Sequence, residues 1–158
     1  MHLLAFGLGS GCVPRAPGTA GSLLGIPLFL ALAGLSLPHY LLATGLLFLV
    51  GCWLCGESAR LLGVHDAPGI VFDEIVGMLL DCLPLLPALG LSALPLWVGL
   101  LLAFVLFRVF DILKPQPIQW IDGHVGGGFG IMLDDLLAGL DAAVLLLVVL
   151  LAWPQLNG

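Results

Sequence analysis

Basic side chains are nearly missing from this sequence: four Lys and Arg among 158 residues, against ten Asp and Glu, for a net charge of −6. Nucleic-acid binding rests on Lys and Arg meeting phosphates, so this balance argues against a nucleic-acid partner. Charge of either sign is scarce, at 9% of residues, where a soluble domain carries about 25%. Hydrophobic residues make up 61% against a usual about 45–50%, and mean hydropathy is +1.21. Too few polar side chains exist to cover a water-facing surface, which excludes an ordinary soluble domain.

Other absences narrow the chemistry. The opening MHLLAFGLGS has no cationic start and no long apolar core before a cleavage site, so no cleavable signal peptide is expected. No internal repeat is evident. The glycine-rich stretch from Gly7 to Ser22 fails the dinucleotide pattern G-x-G-x-x-G, because Cys12 stands where the third glycine belongs. It also lacks the Gly-Lys-Ser/Thr of a P-loop, so no nucleotide is expected. No G-x-S-x-G occurs, and neither Ser nor Cys sits in a recognisable nucleophile context. Cys52 and Cys55 form a CxxC inside the apolar run LLFLVGCWLCG and read as small side chains in helix packing.

What is present is a set of apolar runs at 23–37, 40–56, 75–90, 94–110 and 136–153. A full crossing takes about 20 apolar residues. The chain therefore reads as one membrane-embedded domain over 1–158, an all-α polytopic bundle of about four to five apolar helices. The first and third runs are short or broken by Pro27, Pro84 and Pro87, and are expected to kink or re-enter. Polar residues fall in three groups: the opening loop with Arg15, the stretch 56–74, and the stretch 108–135. If each run crosses, all three groups lie on one face. Arg15, Arg60, Arg108 and Lys114, the whole basic complement, share that face, which the positive-inside tendency makes cytoplasmic.

Eight of the ten acids gather there as well. The pairs Asp73-Glu74 and Asp134-Asp135 are expected to open helices, where a carboxylate is stabilised by about 0.3–1 kcal/mol. Capping explains one acid of each pair but not the second, nor Asp66 and Asp111 on the same surface. Clustered carboxylates repel unless protons or a cation neutralise them, and hard oxygen ligands suit Mg²⁺. Pro115 and Pro117 are expected to keep the KPQPIQW segment extended, with Lys114 near Asp111. The tract HVGGGFG offers a backbone able to approach a ligand. His65 beside Asp66 is a candidate general acid or base. Thr19 or Ser22 is expected to cap the helix after PGTAGS, whose amides with Arg15 make an anion site. Lacking a nucleophile motif, the pattern favours attack by water activated at a metal. Asp81 and Asp141 lie seven residues beyond Glu74 and Asp134, about 10 Å deeper on a helix.

Four blocks, HLLAFGLGSG…P…PGTAGSL, GVHD…IVFDEIVGM, FRVFDILKPQPIQWID and GGFGIMLDDLLAG, resemble phosphatidylglycerophosphatase A in order and reach from His2 to about Gly139. The resemblance implies an α-helical, Mg²⁺-dependent lipid phosphatase of the bacterial cytoplasmic (inner) membrane, converting phosphatidylglycerophosphate to phosphatidylglycerol and phosphate. It carries the polar site onto Asp66, Asp73, Glu74, Asp111, Lys114, Asp134 and Asp135, with Thr19 and Ser22 in the opening block. On that reading the metal is expected at Asp73, Glu74, Asp134 and Asp135. Catalysis is expected of His65, Asp66, Asp111 and Lys114, and substrate-phosphate binding of Arg15, Thr19, Ser22 and Arg108. The motifs of a CDP-alcohol phosphotransferase and of a vanadium-peroxidase-like phosphatase are absent. A cation or proton transporter using Asp81 and Asp141 is the alternative from another class.

Overall fold

The computed structural model describes residues 2–64, 67–91 and 94–157, and among them the chain is helical throughout. Helix α1 (His2–Ala5) and a 3-10 turn (Gly7–Cys12) lead into α2 (Pro17–Leu32), followed by α3 (Leu37–Leu62) and α4 (Phe72–Asp81). Two 3-10 turns (Leu83–Leu85 and Pro87–Leu89) then connect to α5 (Leu96–Leu113), α6 (Ile118–His124) and α7 (Gly127–Asn157).

Local chemistry sets the boundaries. Pro17 occupies the first turn of α2, where its missing N–H costs nothing and its fixed φ suits the helix. Neither Thr19 nor Ser22 caps α2, contrary to the sequence expectation. The N-cap is Ala16, with no side-chain cap, because proline starts the helix ahead of both hydroxyls. Helix α3 ends at Gly63 (φ 70°), whose N–H returns to the carbonyls of Ala59 and Arg60. The third apolar run stops being a helix after Asp81, because Pro84 and Pro87 cannot continue one.

Three helices, α3, α5 and α7, are long and apolar enough to cross a membrane. At 1.5 Å per residue, the 18 residues of α5 span about 27 Å, close to the about 30 Å hydrocarbon core. Their outward faces are greasy: Trp53 is 64% exposed, Trp97 70% and Leu101 56%. Such surfaces belong against lipid, and the chain is a membrane protein. The first run yields only the 16-residue α2, interrupted by Pro27.

Helix α4 needs no membrane-spanning length because it is enclosed by protein. Seven of its ten residues are buried, and α2, α3, α5 and α7 all pack on it. Around it lies a core that includes Phe29, Tyr40, Met78, Leu79, Phe107 and Leu146. Tyr40 donates its hydroxyl to the Leu79 carbonyl at 2.7 Å, so the one tyrosine in the chain is buried with its polar end satisfied.

Glycine brings these helices together. A Cβ on Gly21 would sit 2.7 Å from Val71 Cβ, and one on Gly25 2.7 Å from Met78 Cβ, so α2 lies flush on α4. A Cβ on Gly77 would come within 2.6 Å of both the Asp135 carbonyl and the Phe107 ring, and one on Gly139 would run into the Gly77 carbonyl. Close backbone approach at small residues is how helices pack where lipid removes the usual hydrophobic drive. The tract Gly127–Gly130 serves the same end. It begins α7 and rests on α3, where a Cβ on Gly128 would meet the Cys52 carbonyl and Gly56. Gly128 therefore admits a neighbouring helix. Cys55 is buried with its thiol 3.8 Å from Met132 Sδ, in keeping with cysteine as packing.

Gly139→Val should destabilise the fold by about 1–3 kcal/mol, the usual cost of overfilling a tight contact. Gly45→Ala, at a position with open space, should leave stability unchanged or slightly raised. Thermal unfolding of the two variants in detergent checks the contrast.

Candidate active site

The acids that open α4 meet an acid from α7. Asp73 and Glu74 lie in the first turn of α4, and one carboxylate oxygen from each lies within 4.8 Å of one from Asp135. Gly77 and Gly139 stand one helical turn beyond these carboxylates, so the backbone contact described above holds the two acid-bearing turns together. Asp73 and Asp135 are buried. Burial pushes the Glu74 carboxyl well above the usual carboxylate range, and the neighbouring Asp135 charge pushes it the same way. A hydrogen bond with Asp73 and the Arg108 charge oppose them only partly. Glu74 Oε2 is buried without a hydrogen-bond partner. Three converging carboxylates with a buried oxygen to spare are a donor set that can hold a metal ion, since a cation removes both the repulsion and the desolvation penalty.

The cations approach from α5. Arg108 pairs with Asp111 at 2.5 Å, and its Nη1 donates to Ser22 Oγ at 3.4 Å. Ser22 in turn donates to the Gly18 carbonyl at 2.9 Å. Gly18 is the meeting point, because a Cβ there would overlap the Glu74 carboxylate and lie 3.1 Å from Arg108 Nη1. The first turn of α2, with its unpaired amides, thus faces the acid cluster beside a guanidinium. Arg108 Nε is buried and makes no hydrogen bond in the protein, which leaves a donor for an anion.

Lys114 and Asp134 lie beside the cluster. They pair at 2.6 Å, and Asp134 Oδ1 accepts the Asp135 N–H at 3.0 Å. Asp134-Asp135 does not open α7, as expected from sequence, but lies inside the helix that starts at Gly127. Neighbouring helix residues point about 100° apart, so Asp135 faces α4 while Asp134 faces Lys114. Nor is the KPQPIQW segment extended: Lys114 ends α5 in the left-handed region (φ 41°), and a turn leads directly into α6. Lys114 is thereby swung toward α7 and pairs with Asp134.

Of the remaining expected residues, Arg15 is exposed just ahead of α2, and Thr19 is half-buried in its first turn. His65 and Asp66 lie outside the described residues. Glu57 and Arg60 pair with each other on α3. Gly18, Gly77 and Gly139 were not anticipated. Their signal was available, as a glycine one turn past each acid pair and one right after the proline that starts α2.

The model of the phosphatidylglycerophosphatase A family matches residues 3–150. A phosphatidylglycerophosphatase A of Haemophilus influenzae is 45% identical over 94% of this chain and 88% of its own length. A phosphatidylglycerophosphatase A of Escherichia coli K12 is 42% identical over 97% and 85%. A putative phosphatidylinositol-3-phosphatase of Bacteroides thetaiotaomicron is 36% identical over 92% and 91%. No solved structure matches the chain significantly. None of these relatives supports the transporter reading of Asp81 and Asp141.

Asp73→Asn, Glu74→Gln and Asp135→Asn should each weaken divalent-cation binding by at least about tenfold, the lower end of losses seen even for residues that merely support a ligand. Glu57→Gln, remote from the cluster, should leave it unchanged. Titration of Mn²⁺ followed by electron paramagnetic resonance separates the two cases.

Proposed function

The chain belongs to the phosphatidylglycerophosphatase A family, and we propose that this lipid phosphatase hydrolyses phosphatidylglycerophosphate to phosphatidylglycerol and inorganic phosphate. The observation that carries the reading is the convergence of Asp73, Glu74 and Asp135 next to Arg108 at one end of apolar helices. A phosphomonoester carried on a lipid lies in the headgroup plane, and its acyl chains stay in hydrocarbon. The site and the greasy faces below it match that division. The four basic residues favour the cytoplasmic side for the loops and, with the family, the inner membrane.

The cation we assign is Mg²⁺, because the donors are hard carboxylate oxygens and Mg²⁺ commonly shares its coordination between one or two carboxylates, water and a substrate phosphate. When bound, it supplies Lewis-acid polarisation of the phosphoryl group and a water of lowered pKa.

Everything else falls to side chains. Arg108, oriented by its pair with Asp111 and by Ser22, offers donors to the equatorial phosphoryl oxygens. The first turn of α2 lies beside it at Gly18; Thr19 is assigned to the same phosphate, and Arg15 to attracting it from the surface. Preorganised donors aimed at developing charge are commonly the largest contribution to such catalysis. Lys114, held by Asp134, adds positive charge at the α7 side. His65 with Asp66, in the connection between α3 and α4, is assigned the proton that the departing glycerol oxygen requires.

The decisive measurement is phosphate release by the purified protein from phosphatidylglycerophosphate in detergent, with Mg²⁺ and with EDTA. Activity should vanish in EDTA and return with Mg²⁺, and Asp73→Asn combined with Asp135→Asn should lower kcat by at least about 10²–10³-fold. Activity that survives chelation, or a clear preference for phosphatidylinositol 3-phosphate, overturns the assignment. Arg15→Ala should raise KM severalfold without lowering the melting temperature, since an exposed surface substitution seldom changes stability by more than about 0.5 kcal/mol.

A further inference from the structure

The first turn of α2 holds a glycine unlike the others that let these helices close. A Cβ on Gly128 or Gly139 would meet the backbone of a neighbouring helix, and one on Gly25 would meet Met78. At Gly18 the three nearest atoms are Glu74 Oε1, Arg108 Nη1 and Glu74 Cδ, the tips of two charged side chains. Among the glycines of the described residues, no other has charged side chains alone as its nearest neighbours.

That difference changes what the missing Cβ does. Backbone cannot give way, so filling the gap at Gly139 separates two helices. The ends of Glu74 and Arg108 can turn about their side-chain torsions, so a methyl at position 18 leaves the helices in place and moves the carboxylate and the guanidinium. Nor does the backbone ask for glycine here. Position 18 is already helical, in a helix that starts at Pro17, and alanine is the better helix former. The Gly18 carbonyl also accepts the Ser22 hydroxyl at 2.9 Å, and Ser22 Oγ receives Arg108 Nη1 at 3.4 Å. Gly18 thus meets Arg108 twice, through Ser22 and at its own bare Cα.

We propose that Gly18 is a positioning residue of the site: by carrying no Cβ it seats the Glu74 carboxylate and the Arg108 guanidinium against the start of α2, and so fixes the cation site and the phosphate-binding arginine relative to each other. This rests on the function proposed above and names what sets the geometry of its two charged parts. Precision of this kind matters, because a misplacement of about 1 Å can cost about 10²-fold in rate, and the overlap of an added methyl with Glu74 Oε1 demands a displacement of that order.

The test uses the full-length protein in detergent with three variants, Gly18→Ala, Glu74→Asp and the two combined. Mn²⁺ titration followed by electron paramagnetic resonance reads the cation site without substrate, and thermal unfolding reads the fold. Gly18→Ala should melt at or above the wild-type temperature yet bind Mn²⁺ about tenfold or more weakly. Its kcat for phosphatidylglycerophosphate should fall by up to about 10²-fold, with KM raised through the displaced Arg108. Glu74→Asp withdraws the carboxylate by one methylene and removes the overlap. Adding Gly18→Ala to it should therefore cost less than about twofold in Mn²⁺ affinity, a non-additivity that residues in contact show and independent sites do not. Gly45→Ala, with open space around it, should change none of these quantities. A lower melting temperature for Gly18→Ala means that the glycine serves packing, and this overturns the assignment. So does wild-type Mn²⁺ affinity in Gly18→Ala, or the same loss in both backgrounds. Wild-type protein that binds no Mn²⁺ overturns the cation site, and the positioning role with it. Wild-type protein that binds Mn²⁺ but releases no phosphate overturns the functional reading alone, and the Mn²⁺ titrations still decide the role of Gly18.

Discussion

The site depends on one backbone contact, the approach of α4 to α7 at Gly77 and Gly139. Because neither residue has a Cβ, the Gly77 carbonyl lies where a side chain on Gly139 would begin. One turn away on each helix stand Asp73 with Glu74 and Asp135. Any side chain at the contact would push the helices apart and separate the acids with them. The same missing Cβ on Gly77 admits the ring of Phe107, and the residue after Phe107 is Arg108. A single gap in side-chain volume thus sets the relative positions of α4, α5 and α7, and with them both charges of the site. Gly18, Gly21 and Gly25 do the same for α2, which brings its first turn against Glu74. In a membrane, where lipid is as apolar as the helices it surrounds, contact of this kind must replace hydrophobic sorting as the source of order.

Placing acids at such a contact is costly, and the cost is informative. Asp73, Asp134 and Asp135 are buried, and ionised carboxylates lose much of their hydration there. Asp134 recovers it locally through Lys114 and the Asp135 amide. Asp73, Glu74 and Asp135 converge as a group that could hold a metal ion, with Arg108 paired to Asp111 beside them. Geometry therefore divides the acids into Asp134, which has Lys114 beside it, and the converging group that could hold a metal ion. That division separates the two members of the Asp134-Asp135 pair, which are adjacent in sequence.

Much of this was readable in the sequence, for definite reasons. Low charge and high hydropathy leave only a membrane protein, and polar residues in three stretches separated by apolar runs collect at one end of a helical bundle if each run crosses. Asp73 and Glu74 announced a helix start because acids favour that position and the next residues are apolar. The division of Asp134 from Asp135 was not readable, because it depends on helical phase, and phase depends on α7 beginning at Gly127 and not beside the acids. The path of the chain after Lys114 was misread for a related reason. Two prolines in three residues suggest an extended segment, but here they form a turn, and Lys114 pairs with Asp134. The glycine pairings were hidden differently. The 22 glycines are visible as composition, but which of them touch is a property of tertiary packing alone.

Charge balance ties the two halves of the proposed reaction together. Asp73, Glu74, Asp111, Asp134 and Asp135 outnumber Arg108 and Lys114, the basic residues paired among them, so an anionic substrate meets more acid than base there. A phosphomonoester carries up to two negative charges and would be repelled by such a surface at the distances involved. Arg108 alone does not reverse this, because Asp111 already holds one side of its guanidinium. In the proposed reaction a divalent cation among Asp73, Glu74 and Asp135 would weaken that repulsion, and a bound phosphate would in turn supply it with oxygen ligands. Affinity for each is thereby raised by the other, by equal factors, as linkage demands. On that proposal the excess of acid over base that first set this sequence apart is no obstacle to binding a phosphate: the same carboxylates that would repel the lipid alone would make its capture depend on the metal.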